Sequence, residues 1–208
     1  MKQQIFFIHG GDAFSNREDF LKYLKKTTIR NLPDKPTKDT WTKTLAEDLG
    51  DGYEVFMPIM PNKQNAKYDE WSIWFDKHLP YLKNGVILVG WSLGGMFLAK
   101  YLSENTLPIE VNSLCLLAAP FGFCTDPEGN DCGDFQFEPQ IIQNLSIDPE
   151  KVSIWHSQDD FIVPYQDALE YKKYLNKAEL MSFDDKNHFL VEKMTELLEF
   201  IQNKAQIN

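Results

Sequence analysis

The pentapeptide Gly90-Trp91-Ser92-Leu93-Gly94 holds the residue types of nucleophilic catalysis in a spacing that exposes them. An apolar run, Ile87-Leu88-Val89, leads into it. Leu93, Met96, Phe97, Lys100 and Tyr101 follow at intervals of three and four, the pattern of a helix that buries one face. A strand entering and a helix leaving make Ser92 the tip of a sharp turn, and glycines at Gly90 and Gly94 let the two flanks approach closely. A serine hydroxyl is a weak nucleophile at neutral pH, so it needs a base beside it and a third group to orient that base.

The chain has four histidines: His9, His78, His156 and His188. His188 lies in Asp184-Asp185-Lys186-Asn187-His188-Phe189-Leu190, between the last strand pattern and the last helix pattern, where a loop can bring an imidazole over the sheet. His78 falls inside a helical pattern, His9 reads as a hydrogen-bonded residue of a tight turn, and His156 ends a strand. After His156 comes Ser157-Gln158-Asp159-Asp160-Phe161-Ile162-Val163-Pro164, which supplies the acid. Asp160 is preferred over Asp159 because it lies deeper in the turn and opens an Asp-x-x-Val-Pro stretch; Asp159 faces solvent or caps the loop. A tetrahedral intermediate also needs preorganised donors for its oxyanion. The backbone N–H of Leu93, at the start of a helix, is one. Gly11, in His9-Gly10-Gly11-Asp12, is the expected second, with Asp12 the neighbouring alternative. If His188 is the base, activity falls as it protonates in mildly acidic solution.

These residues need a scaffold. Six β-like runs, Gln4 to Ile8, Tyr53 to Met57, Val86 to Val89, Ser113 to Ala118, Val152 to Trp155 and Glu179 to Phe183, alternate with helical patterns. The helical patterns cover Arg17 to Lys26, Thr40 to Asp48, Asp69 to His78, Leu93 to Glu104, Gln166 to Tyr174 and Leu190 to Asn203. Such alternation predicts a mostly parallel α/β sheet with helices on both faces, as one domain spanning residues 1–208. Each candidate group then sits at the C-terminal end of a strand, where open parallel sheets bind ligands. Two stretches look irregular, Asn31 to Asp39 and the aromatic, acidic Phe121 to Pro139.

Together, His9-Gly10-Gly11, Gly90-Trp91-Ser92-Leu93-Gly94-Gly95, His156-Ser157-Gln158-Asp159-Asp160 with Val163-Pro164, and Asn187-His188-Phe189 resemble the landmarks of the α/β-hydrolase superfamily. Their order, Ser then Asp then His, is the superfamily's order. The small size and Ala118-Ala119-Pro120-Phe121 look similar to the compact serine hydrolases typified by retinoblastoma-binding protein nine. The resemblance implies Ser92 as nucleophile, His188 as base and Asp160 as orienting acid, on a minimal six-stranded sheet of order 2-1-3-4-5-6 without a separate lid domain. It departs from the common pattern at Trp91, where histidine is frequent, and at Ser157 and Asn187, where glycine is frequent. Trp91, Phe121 and Val163 are candidates for the pocket wall.

The expected substrate is a small-molecule ester or acyl compound, cleaved through an acyl-serine intermediate. A peptidase or amidase, and a noncatalytic module binding a partner through Phe121 to Phe137, are the alternatives. A net charge of −10 disfavours nucleic acid, which needs clustered cations. Lys22, Lys25 and Lys26 read as a solvated helix face. No apolar run reaches membrane-spanning length, and the short run Ile5 to Ile8 is not a signal-peptide core, so a cytoplasmic location is expected. No phosphate-loop or dinucleotide spacing implies a cofactor. The loop Asp126 to Asp134 superficially resembles a calcium loop, but Asp131 replaces the glycine and Phe137 the terminal glutamate, so no metal is expected. Cys115 reads as a core residue; Cys124 and Cys132 flank the acidic loop and could meet, but a reducing compartment is expected to keep them as thiols. Trp41, Trp71, Trp74 and Phe75 sit at helical spacings and are assigned to packing.

Overall fold

The computed structural model describes residues 2–29, 40–125 and 131–206. The irregular stretch from Asn31 to Asp39 and residues 126–130 of the acidic loop lie outside them. Six strands, β1 (Gln3–Ile8), β2 (Tyr53–Phe56), β3 (Val86–Trp91), β4 (Val111–Leu117), β5 (Val152–Ser157) and β6 (Glu179–Phe183), form one sheet. Its order is β2-β1-β3-β4-β5-β6, and all neighbours pair in parallel. The helices are α1 (Arg17–Lys26), α2 (Trp41–Leu49), α3 (Tyr68–His78), α4 (Leu93–Glu104), α5 (Tyr165–Tyr174) and α6 (Thr195–Gln206).

The central strands read as continuous apolar runs because both their faces are covered. On β1, Phe6 and Ile8 join one core layer with Leu88, Phe97, Leu114 and Ile154. Ile5 and Phe7 join the opposite layer with Ile87, Val89, Cys115 and Trp155. The alternation is the period of two of an extended chain. Each fully buried Leu, Ile or Phe contributes about 1.5–3 kcal/mol relative to exposure. Trp41, Leu45 and Leu49 place one stripe of α2 in the second layer, while Trp71 and Phe75 of α3 fill the first. α1 buries no residue fully and is held by its own chemistry: Asn16 caps it by accepting from the Asp19 N–H, and Lys22 pairs with Glu18 and Asp19 in solvent. No described helix is long and apolar enough to cross a membrane.

Three strand ends are tied to their neighbours by a hydrogen bond that continues the ladder past the last paired residue. Ser92 N–H donates to Leu117 O (2.8 Å), Ala118 N–H to Trp155 O (2.8 Å) and Gln158 N–H to Phe183 O (2.7 Å). This extends β3 to Trp91 and β5 to Ser157, so His156 and Ser157 belong to a strand rather than to the loop after it.

Two other expectations change. The last helix starts at Thr195, not Leu190. Met194, Leu197 and Ile201 are buried as the periodicity requires, but Leu190 is 42% exposed, and positive φ at Asn187 and Phe189 keeps the preceding chain out of a helix. Cys124 and Cys132 are joined by a disulfide rather than held as thiols, with their Cα atoms 6.0 Å apart. An antiparallel bridge between Thr125 and Asp131 brings the two together. Cys115 is the buried core residue expected, its thiol pushed up to about 12 by desolvation.

Candidate active site

Ser92 sits between the last residue of β3 and the first of α4 with φ 55° and ψ −125°. A non-glycine residue in such a region carries strain of about 1–3 kcal/mol, tolerated where the surroundings over-determine it. Here they do. The Ser92 N–H is held by Leu117 O, and its carbonyl accepts from the N–H groups of Gly95 (2.9 Å) and Met96 (3.2 Å). The glycines on either side are required by contact. A β-carbon at Gly90 would lie 2.6 Å from Gly94 O and from Gly95 Cα, and one at Gly94 would overlap the carbonyls of Ile8 and His9. The helix therefore starts in contact with the end of β1, which is what throws the serine outward.

The same contact brings the turn after β1 to Ser92. A β-carbon at Gly10 would lie 3.0 Å from Ser92 Cβ, and one at Gly11 would lie 3.5 Å from the Leu93 side chain. His9 holds this turn in place. Its Nδ1 donates to Gly10 O (2.6 Å) and its Nε2 accepts from the Met60 N–H (2.9 Å), and burial, opposed by the Gly10 carbonyl, lowers its pKa. Of the two candidates for an oxyanion donor here, Asp12 has its N–H engaged by Lys63 O (2.8 Å). Gly11 N–H has no hydrogen bond to another described residue, and Leu93, as the first residue of its helix, has no intrahelical acceptor for its own.

On the other side of Ser92, the loops after β5 and β6 bring Asp160 and His188 together. His188 Nδ1 lies 2.8 Å from Asp160 Oδ2, and the Asp160 side chain is fully buried. Asp160 Oδ1 accepts from the N–H groups of Ile162 (2.8 Å) and Val163 (3.0 Å). His156, also buried, places Nε2 3.4 Å from Asp160 Oδ2 and donates to Val163 O (3.0 Å). Burial opposes ionisation of Asp160, but the hydrogen bonds from His156 and His188 and the Val163 amide prevail and hold its carboxyl well below the usual range. An ionised Asp160 accepts, so His188 Nδ1 carries the proton and Nε2 keeps its lone pair. No direct hydrogen bond links that imidazole to Ser92 among the described residues; in free enzymes this contact is often long and tightens on binding.

Trp91 and Asp159 position the histidine loop. Trp91 Nε1 donates to His188 O (3.1 Å), and the two rings lie 5.7 Å apart. Asp159 Oδ1 accepts from Ser157 Oγ and from the Asn187 N–H (2.8 Å), while Ser157 Oγ accepts from the Lys186 N–H (3.1 Å). Asp159 thus latches one loop to the other. The two departures from frequent glycines acquire reasons. Asn187 has φ 42°, a region that asparagine enters more easily than most side chains, and its Oδ1 accepts from Leu190 N–H. Ser157 supplies the hydroxyl that ties the two loops.

A cavity of about 90 Å³ adjoins Ser92, bounded by Gly11 and Leu93 on one side and by Ile162, Val163 and Pro164 on the other. Cys124, Cys132 and Asp167 complete the part that matters here. Val163 lines it as expected. Trp91 and Phe121 do not. Trp91 packs under the histidine loop, and Phe121 is buried against Tyr171 (4.8 Å) and Phe137 (5.6 Å). Phe135 and Phe137 likewise anchor their loop in the core, whereas Phe123 is 64% exposed. Asp167 went unremarked in the sequence, where an acid in the first turn of a helix reads as a partner for the helix dipole. Burial raises its carboxyl to about 6, and the Phe121 N–H donates to its Oδ2 (3.0 Å).

Comparison with known proteins agrees with this fold. Among solved structures, the ydeN gene product of B. subtilis superposes with a TM-score of 0.69 at 19% identity, covering 99% of this chain and 100% of that one. A meta-cleavage product hydrolase from Pseudomonas fluorescens IP01 gives 0.68 at 15% identity, over 100% and 92%. The naproxen esterase of Bacillus subtilis gives 0.64 at 11% identity, over 97% and 83%. At these identities the likeness is one of fold. No curated protein matches by sequence. The serine hydrolase family model matches residues 37–203, and on that extent the chain, with its α/β-hydrolase fold, belongs to the serine hydrolase family.

Proposed function

We propose that this hydrolase cleaves a carboxylic ester or thioester through an acyl-Ser92 intermediate. The observation that carries the reading is the buried Asp160–His188 hydrogen bond, which leaves Nε2 with its lone pair on a loop held by Trp91, the residue before Ser92. His188 Nε2 takes the hydroxyl proton as Ser92 Oγ bonds to the acyl carbon, and the oxygen that becomes negative is met by the N–H groups of Gly11 and Leu93. The imidazolium then gives its proton to the leaving oxygen or sulfur, and the ester bond breaks. Water enters, His188 removes its proton, and collapse of the second tetrahedral intermediate frees the acid and Ser92. Asp160 stays ionised throughout and holds the ring. The reading takes residues 1–208 as one hydrolase domain and needs no cofactor, nucleic acid or membrane insertion. A cytoplasmic location belongs to the same reading.

The test is intact-mass analysis after exposure to a fluorophosphonate probe, paired with hydrolysis of p-nitrophenyl acyl esters. The native chain should gain one adduct, and Ser92→Ala and His188→Ala should gain none. Ester turnover should fall by on the order of 10⁴-fold in each variant. A folded native chain that neither labels nor turns over the esters would exclude the hydrolytic role for Ser92. Parallel anilide substrates separate esterase from amidase: turnover matching that of the esters would favour the amidase.

A further inference from the structure

Asp167 is the feature of the cavity that the triad chemistry does not use. It sits in the first turn of α5 and lines the cavity with Ser92. Its Oδ2 accepts from the Phe121 N–H at 3.0 Å, and its Oδ1 accepts no hydrogen bond from any described residue. Among the described residues, no lysine, arginine or histidine lines this cavity. Two further carboxylates do, but both have partners: Asp131 accepts from the N–H groups of Ser15 (2.9 Å) and Gly133 (3.1 Å), and Asp12 meets Tyr23 Oη at 3.3 Å. Asp167 is thus a largely buried acid with one oxygen fixed by backbone and the other left for whatever fills the cavity.

A helix-capping role does not account for this. An acid placed only to complement the α5 dipole gains nothing from burial in a cavity wall, where loss of water penalises its charge. Nor does the Phe121 amide need a carboxylate; any carbonyl or hydroxyl acceptor would satisfy it.

Resting on the serine hydrolase reading above, we infer that Asp167 is a specificity-determining residue, selecting substrates that present a cationic nitrogen to the cavity and rejecting those that present a carboxylate. The Coulomb term acts in one direction for the cation and in the other for the anion, and nothing in the wall offsets either. At 4 Å and with full water screening, the interaction is still worth roughly a fivefold change in binding, and more where the cavity is dry.

The experiment uses three p-nitrophenyl esters of equal acyl length, ending in trimethylammonium, methyl or carboxylate, at pH 8, where Asp167 is ionised. The native chain should rank them in that order by kcat/KM, with roughly fivefold or more at each step. Asp167→Asn keeps the shape and an acceptor for Phe121 and should shrink both steps by about fivefold, leaving only what Asp12 and Asp131 contribute. Asp167→Ser is the second variant should the first fail to fold, with the same expectation. A native chain that labels with fluorophosphonate and hydrolyses the methyl ester, but ranks the three alike, overturns the proposal. So does a ranking that survives both variants undiminished. A native chain with neither labelling nor turnover removes the hydrolase reading, and this proposal with it.

Discussion

The two halves of the site are held by opposite means. On the β1–β3–α4 side, position is fixed by absence: Gly90 and Gly94 have no side chain, backbone meets backbone, and Ser92 takes the only orientation left to it. On the β5–β6 side, position is fixed by hydrogen bonds between loops, with Asp159, Ser157, Trp91 and His156 all gripping the Asp160–His188 pair or its neighbours. Steric exclusion admits no partial success. A hydrogen-bonded latch can be removed one bond at a time, so the second half should degrade by steps where the first fails at once.

Gly94→Ala should give the largest effect, because its methyl group overlaps two backbone carbonyls that cannot move without shifting β1. A destabilisation of at least about 3 kcal/mol, read as a shift in the denaturation midpoint, is expected; a variant of native stability would show that the contact yields.

Asp167→Asn probes the acidic side by charge. In the fold its carboxyl titrates at about 6, against 3.8 ordinarily, so the folded chain holds the proton to higher pH than the unfolded one. The ionised form therefore weakens the fold at pH 8, and that penalty fades as pH falls through 6 and vanishes below the unfolded value. Asparagine should stabilise by up to about 3 kcal/mol at pH 8, and by nothing once the pH is well below 3.8. Equal melting curves of variant and native chain at pH 8 would contradict the account.

Asp159→Ala removes one latch and leaves Asp160 in place. Stability should fall by about 1 kcal/mol, and kcat by about tenfold with KM nearly constant, since only the aim of His188 changes. An unchanged kcat would mean that the remaining contacts suffice to hold the ring.

What the sequence disclosed follows the same division. The elbow was readable because its physics is local: glycines at fixed spacing between an apolar run and an amphipathic helix leave little choice. Asp160 and His188 stood out because both follow strand ends, and the alternation of patterns announced a parallel sheet, whose order came with the resemblance to the α/β-hydrolase superfamily. Asp167 was not readable, since only folding puts it in the wall of the cavity that Ser92 also lines. The Cys124–Cys132 bond depends on a local pairing that no periodicity marks. Leu190 mimicked the helical stripe of Met194 and Leu197, and nothing in composition announced that Phe189 would take a positive φ and end that pattern. Phe121 had the right place in the chain for a pocket wall, but Tyr171 claimed its ring.

The three amides that carry the ladder beyond the strand ends, those of Ser92, Ala118 and Gln158, amount to a datum line. Ser92, the cavity wall and the loop that carries Asp160 are all indexed from it, and each loop begins only after its strand has been pinned to the next. Length added beyond those pins alters what the cavity admits without moving the origin from which the reacting groups are measured. A fold organised this way can change its diet by insertion while its chemistry stays in register.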